Sequence, residues 1–157
     1  MNVSAVQPTV DSNALLPGAQ FVDAYSIAVG DTALDARQAA ERMVARGPRW
    51  IDVLLALRNA LVAPLGLKTP APTGASSTDT IGIFPVLSET PGRLVAGLND
   101  RHLDFRLVVD VTNEDDGRRV IATTVVLTHN WFGRAYLATI LPFHRLIVPS
   151  MLRRVAG

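Results

Sequence analysis

Between residues 102 and 111 the chain alternates with a period of two. His102, Asp104, Arg106, Val108 and Asp110 interleave with Leu103, Phe105, Leu107, Val109 and Val111. A strand sends alternate side chains to opposite faces, so this pattern predicts one polar, solvated face and one wholly apolar, buried face. Val120 to Thr128, rich in Val, Ile and Thr, predicts a returning strand after an acidic turn at Asn113 to Gly117. Upstream, Ile81 to Leu87 and Arg93 to Leu98 predict two more strands around the turn Glu89-Thr90-Pro91-Gly92. A further strand is predicted over Gln20 to Val29, where Phe21, Ala24, Tyr25, Ile27 and Val29 alternate in part.

Helical spacing fills the remainder. Thr32 and Asp35 have the spacing of a capping box, and Ala36, Ala40, Met43 and Val44 form a stripe that stops at Gly47. Pro48 suits a first helical position and opens a second helix through Val62, with Trp50, Leu54, Leu57 and Leu61 on its apolar face. Residues 68–80 are rich in Pro, Ser, Thr and Gly and predict a mobile crossing loop. The last element is a helix from Trp131 to about Leu152, with Asn130 as N-cap, Pro142 as a kink and apolar residues around nearly its whole circumference.

The order β-α-α-β-β-β-β-α predicts an α+β fold in which a curved antiparallel sheet wraps a long C-terminal helix in a helix-grip-like arrangement. Sheet and helix would then enclose an apolar pocket. The division expected is a flexible leader at residues 1–19 and one domain at 20–157, since 157 residues with 48 % hydrophobic content suit a single core.

With 15 basic and 14 acidic residues, the net charge of +1 supplies no field for steering nucleic acid. The absence of cysteine excludes disulfides, thiol nucleophiles and thiolate metal sites, and fits a reducing cytoplasm. Trp131 to Leu152 has the length of a bilayer span. Arg134, His144, Arg145, Pro142 and Pro149 interrupt it, which predicts a buried or interface helix rather than a span. Its spare apolar surface predicts a homodimer through this helix.

Candidate chemistry is sparse. No HExxH, CxxC pair, GxSxG, P-loop or strand-linked GxGxxG occurs, so neither a metal nor a nucleotide cofactor is expected. The His102, Asp104, Arg106 row could orient an anion, but a solvated outer face is the more economical reading. His129, at the start of the terminal helix, is placed for acid/base work or for holding a ligand at a pocket mouth, and equally for capping backbone groups. His144 falls with Leu137, Leu141 and Val148 at helical spacing, as a hydrogen-bonded core residue or as the polar handle of an apolar cavity. Trp50, Phe84 and Phe105 would line that cavity or fill the core.

Three stretches carry a family resemblance: Leu16-Pro17-Gly18-Ala19, Asp100-Arg101-His102-Leu103-Asp104-Phe105-Arg106, and Thr128-His129-Asn130 leading into Pro142-Phe143-His144-Arg145. From about Leu15 onward the chain resembles a bacterial family of domains of unknown function, found alone and fused behind short-chain-dehydrogenase-like domains. That family is similar to the SRPBCC, or START-like, helix-grip superfamily. The resemblance implies a sheet gripping a long C-terminal helix around an apolar cavity. The function expected is binding of a small apolar or amphipathic molecule, with Trp50, Phe84, Phe105, His129 and His144 as candidate ligand-binding residues. The alternatives are a small enzyme of cyclase, hydratase or isomerase type using a pocket histidine, and an interaction domain for a redox enzyme.

Overall fold

The computed structural model describes residues 3–44, 80–81, 84–99, 103–115 and 117–156, with the backbone alone at Val44, Thr80, Phe84, Leu98 and Asn99. The strands are β1 (Ser4–Val6), β2 (Phe21–Val29), β3 (Thr80–Ile81), β4 (Phe84–Thr90), β5 (Arg93–Asn99), β6 (Leu103–Glu114) and β7 (Gly117–Thr128). They lie in the order β1-β2-β7-β6-β5-β4-β3, with every neighbouring pair antiparallel. Six strands make the curved sheet, and the two residues of β3 add a short pairing at the β4 edge. The described helices are α1 (Ser12–Leu15), α2 (Ala36–Val44) and α3 (Trp131–Arg153), the last running into a 3-10 turn at Arg154–Ala156. The α+β class and the terminal helix agree with expectation. The helix expected over Pro48 to Val62 and most of the loop expected at 68–80 lie outside the described residues.

The sheet is larger than the five strands that the pattern predicts. Where a flexible leader is expected, Ser4, Ala5 and Val6 pair with Ser26, Tyr25 and Ala24, and Leu16 is buried at 4 % exposure. Three residues are too few for alternation to register, so β1 is invisible in the sequence. The helix start also differs. The Asp35 carboxylate accepts from the Gln38 N–H at 2.8 Å, and the Gln38 side chain accepts from the Asp35 N–H at 3.1 Å. This is the reciprocal capping box, so Asp35 is the cap and Thr32 is not its partner.

Register sorts the side chains onto two faces. Pairing places Ile27 and Val29 of β2, Val120 and Ala122 of β7, Leu107, Val109 and Val111 of β6, and Leu94 and Ala96 of β5 on the first face. All are buried, and they pack with Leu34, Ala36, Ala39, Ala40 and Met43 around α2 and with Val148, Leu152 and Val155 around the end of α3. The α2 backbone is tied in by its first N–H, Ala36, which donates to the Pro91 carbonyl at 2.9 Å. Arg37 adds an ion pair to Glu89 of β4.

The second face corrects the solvated-row expectation. Asp110 is only 7 % exposed, and Val95, Val108, Thr123 and Val125 on the same face are 0 to 5 % exposed. Asp104 is half-buried, with 16 % of its side chain accessible. Covered charge requires a partner. Asp110 accepts from both Nε and Nη2 of its cross-strand neighbour Arg93, at 2.6 and 3.2 Å, and this hydrogen-bonded pairing raises the Arg93 pKa. Leu103 and Phe105, expected to be fully buried, are half-buried, because they lie at the open end of the first face.

At the turn after β2, the Asp31 carboxylate accepts from the Ala33 N–H at 3.0 Å and pairs with Arg42 at 3.1 Å. These contacts, the backbone bond first, lower its pKa below the usual carboxylate value. A carboxylate with a depressed folded pKa stabilises above the unfolded pKa and loses that contribution as pH falls through the folded one. Asp31→Asn should therefore flatten the acid limb of the stability profile below about pH 4, the ordinary aspartate value, relative to the unsubstituted chain. Urea midpoints measured across that range check it; parallel acid limbs would remove the contribution.

Candidate functional site

The α3 helix begins where β7 ends. Asn130, with extended backbone (φ −154°, ψ 177°), accepts from the Gly133 N–H at 3.0 Å and caps the helix as expected. The helix continues across Pro142 and Pro149 to Arg153. One stripe, Gly133, Leu137, Ile140, Leu141, His144, Ile147, Val148, Met151 and Leu152, recurs at spacings of three and four and faces the sheet.

Burial changes along that stripe. Val148 is 7 % exposed and Leu152 is 0 %, whereas Leu137, Ile140, Leu141 and Ile147 are half-buried. The facing sheet shows the same gradient. Ile27, Val29, Leu107, Val109 and Val111 are buried at the end near Leu152, and Phe21, Tyr25, Leu103 and Phe105 are half-buried at the end near the start of α3. Between these half-buried strands the first-face residues of β7 stay buried, with Thr124, Val126 and Thr128 at 2 to 5 % exposure, so the sheet is closed at one end and partly uncovered at the other only along β2 and β6.

At the junction sits a polar pair. His144 Nε2 lies 3.2 and 3.1 Å from the two Asp23 carboxylate oxygens, and the Phe21 ring meets the imidazole edge-on at 5.8 Å. The side chains are 14 % and 22 % exposed. Two features extend the pair. Tyr25, two residues along the same face, has its pKa raised by burial first and by the Asp23 charge second, with Arg145 opposing. Thr124, the register partner of Asp23 on β7, has a buried hydroxyl with no hydrogen-bond partner among the described residues. A carboxylate-held imidazole can donate or accept a proton, and an orphaned hydroxyl beside it offers one more polar contact.

His129 and His144 pair with carboxylates on opposite faces of the sheet. His129 follows β7 and pairs through Nε2 with Asp104 at 3.0 Å, and Asp104 projects from the second face. His144 lies over the first face. His129 is exposed and bound to a carboxylate on the second face of the sheet. Phe105 is on the first face, half-buried against the core cluster. The backbone of Phe84 belongs to β4. Trp50 and His102 lie outside the described residues, as does the Phe84 side chain.

An open depression of about 500 Å³ lies instead at the closed end, where Gly30, Asp31, Arg42, Arg154 and Val155 meet. Phe105, His129 and His144 are all away from it. Among the described residues, no group of three or more His, Cys, Asp or Glu side chains is placed to hold a metal ion.

Asp23, Tyr25 and Thr124 join the site through the fold and are absent from the candidates that the sequence suggests. The signal available for Asp23 is its place in the row Phe21, Asp23, Tyr25, Ile27, Val29, where one carboxylate falls on an otherwise apolar face. Such a charge needs a partner, and His144 is the polar position on the opposing helical stripe.

No curated protein matches this chain. Among solved structures, a protein from Rhodobacter sphaeroides aligns over 99 % of this chain and 95 % of its own, at 11 % identity and a TM-score of 0.48. A putative uncharacterized protein from Rhizobium leguminosarum aligns over 88 % and 96 %, at 9 % identity and a TM-score of 0.44. A family model matches residues 15–151, and the chain belongs to the family described as Protein of unknown function (DUF2867).

Proposed function

We propose that this is a cytoplasmic binding domain that takes a small apolar or amphipathic molecule between the open end of the sheet and the first half of α3. The observation that carries the reading is the partial exposure of apolar side chains on β2 and β6 opposite half-buried side chains on the first half of α3. Phe21, Tyr25, Leu103 and Phe105 on one side, and Leu137, Ile140 and Leu141 on the other, stay half-buried, while the same surfaces are closed further along. Burying such walls favours an apolar ligand by roughly 25 cal/mol per Å². The reading rests on the helix-grip expectation, in which sheet and terminal helix share an apolar space. His144, Asp23 and the free Thr124 hydroxyl supply the few polar contacts that orient a ligand in a mostly apolar site.

NMR titration of the full chain with a medium-chain fatty acid and the corresponding alcohol tests this reading. The methyl signals of Leu103, Leu137 and Leu141 and the His144 imidazole should shift together, with the Leu146 methyls unmoved. Asp23→Asn should weaken binding about fivefold, the worth of one hydrogen bond of about 1 kcal/mol. Shifts confined to Leu146 and the outer side of α3 would overturn the assignment.

A further inference from the structure

The side of α3 that turns away from the sheet has a composition of its own. Trp131 is 72 % exposed, Leu146 is 64 % and Phe143 is 41 %. Ala135, Ala138 and Pro142 are exposed between them. By length and composition the helix is apolar enough to cross a membrane, yet only 11 % of its most apolar stretch is buried. A soluble monomer rarely leaves so long an apolar surface uncovered without using it.

Charge decides what would cover it. Arg134, Arg145 and Arg153 are exposed on this helix, with Arg145 on the flank where its charge reaches Tyr25 of β2. No Asp or Glu occurs from Trp131 to Gly157. A second copy packed through the same face would set arginines against arginines with no carboxylate on either helix to pair them. An anionic phospholipid surface satisfies both features, since its headgroups pair with guanidinium groups and its acyl boundary accepts Trp, Phe and Leu. Spanning the bilayer is disfavoured by the same contacts that seat the helix. Extracting α3 would break the His144–Asp23 pair and strip Val148 and Leu152 from the core.

We propose that the outer face of α3 docks the domain on an anionic membrane surface, with the helix lying in the interface plane and Trp131, Phe143 and Leu146 at the acyl boundary. Docking uses the opposite side of the helix from ligand binding and stands independently of it.

Vesicle flotation of the full chain tests it, comparing phosphatidylcholine alone with phosphatidylcholine mixed with phosphatidylglycerol. Binding should be at least tenfold tighter to the mixed vesicles and should weaken as salt is raised. Replacing Arg134→Gln and Arg153→Gln together should lower affinity for mixed vesicles on the order of twentyfold, at roughly fivefold per arginine. Leu146→Gln should lower binding to both vesicle types without changing the circular dichroism spectrum, since that side chain packs against little. Equal binding to both vesicle types, or none to either, would overturn the proposal. So would a dimer in light scattering that Leu146→Gln dissolves, which would assign the face to a second copy.

Discussion

Leu152→Ala should lower the stability of the domain by about 2 to 5 kcal/mol, the range for deleting a fully buried leucine side chain. Leu152 is 0 % exposed and belongs to the cluster that joins α3 to Ile27 and Val29 on β2, to Val109 on β6 and to Ala39 and Ala40 on α2. Leu146→Ala, on the outer side of the same helix at 64 % exposure, should cost no more than about 0.5 kcal/mol. Urea midpoints with unchanged slopes would give the comparison. Equal losses at the two positions would mean that α3 is not seated on the sheet by its C-terminal half.

Gly117→Ala should be at least as damaging, for a backbone reason. Gly117 opens β7 at φ +149°, a conformation that side chains rarely adopt, and a Cβ built there would lie 2.1 Å from the Val29 carbonyl oxygen and 3.1 Å from the Gly30 Cα. Both neighbours are backbone, so relief requires the β2–β7 pairing to shift. Strain and overpacking together imply a loss of roughly 2 to 5 kcal/mol. Gly92→Ala is the control, because its nearest contact would be an ordinary 3.7 Å to the Val111 carbonyl oxygen. Thermal melts of the two variants decide it, and a Gly117→Ala melt matching that of Gly92→Ala would contradict the strand contact.

The strands are legible in the sequence because the period-two pattern at β6 and the Val-, Ile- and Thr-rich run of β7 reflect real faces. Burial of the second face is not legible. Alternation tells which residues share a face, and it carries no information on whether something covers them, so Asp110 reads as solvated although it is held by Arg93. The same limit applies to α3. An apolar circumference says that contact would be favourable, and only the fold shows Trp131 and Leu146 facing outward. His144 is legible as a polar position on an apolar stripe, but its partner is not, because Asp23 is 121 positions away in sequence and is placed opposite it only once β2 joins the sheet beside β7. The pairing of His129 with Asp104 is likewise not legible, because it depends on register: one step past Thr128 moves a side chain across the sheet.

Whether the open end between sheet and α3 holds a small apolar or amphipathic molecule can be read most directly by native mass spectrometry of the freshly purified full chain. A Leu141→Arg variant, which places a charge in the helical wall, provides the comparison. Expected is a species heavier than the bare chain by one small molecule, released on mild activation and absent or strongly reduced in the variant. Bare chain alone in both samples, persisting after incubation with a medium-chain fatty acid, would show that the open end binds no such molecule.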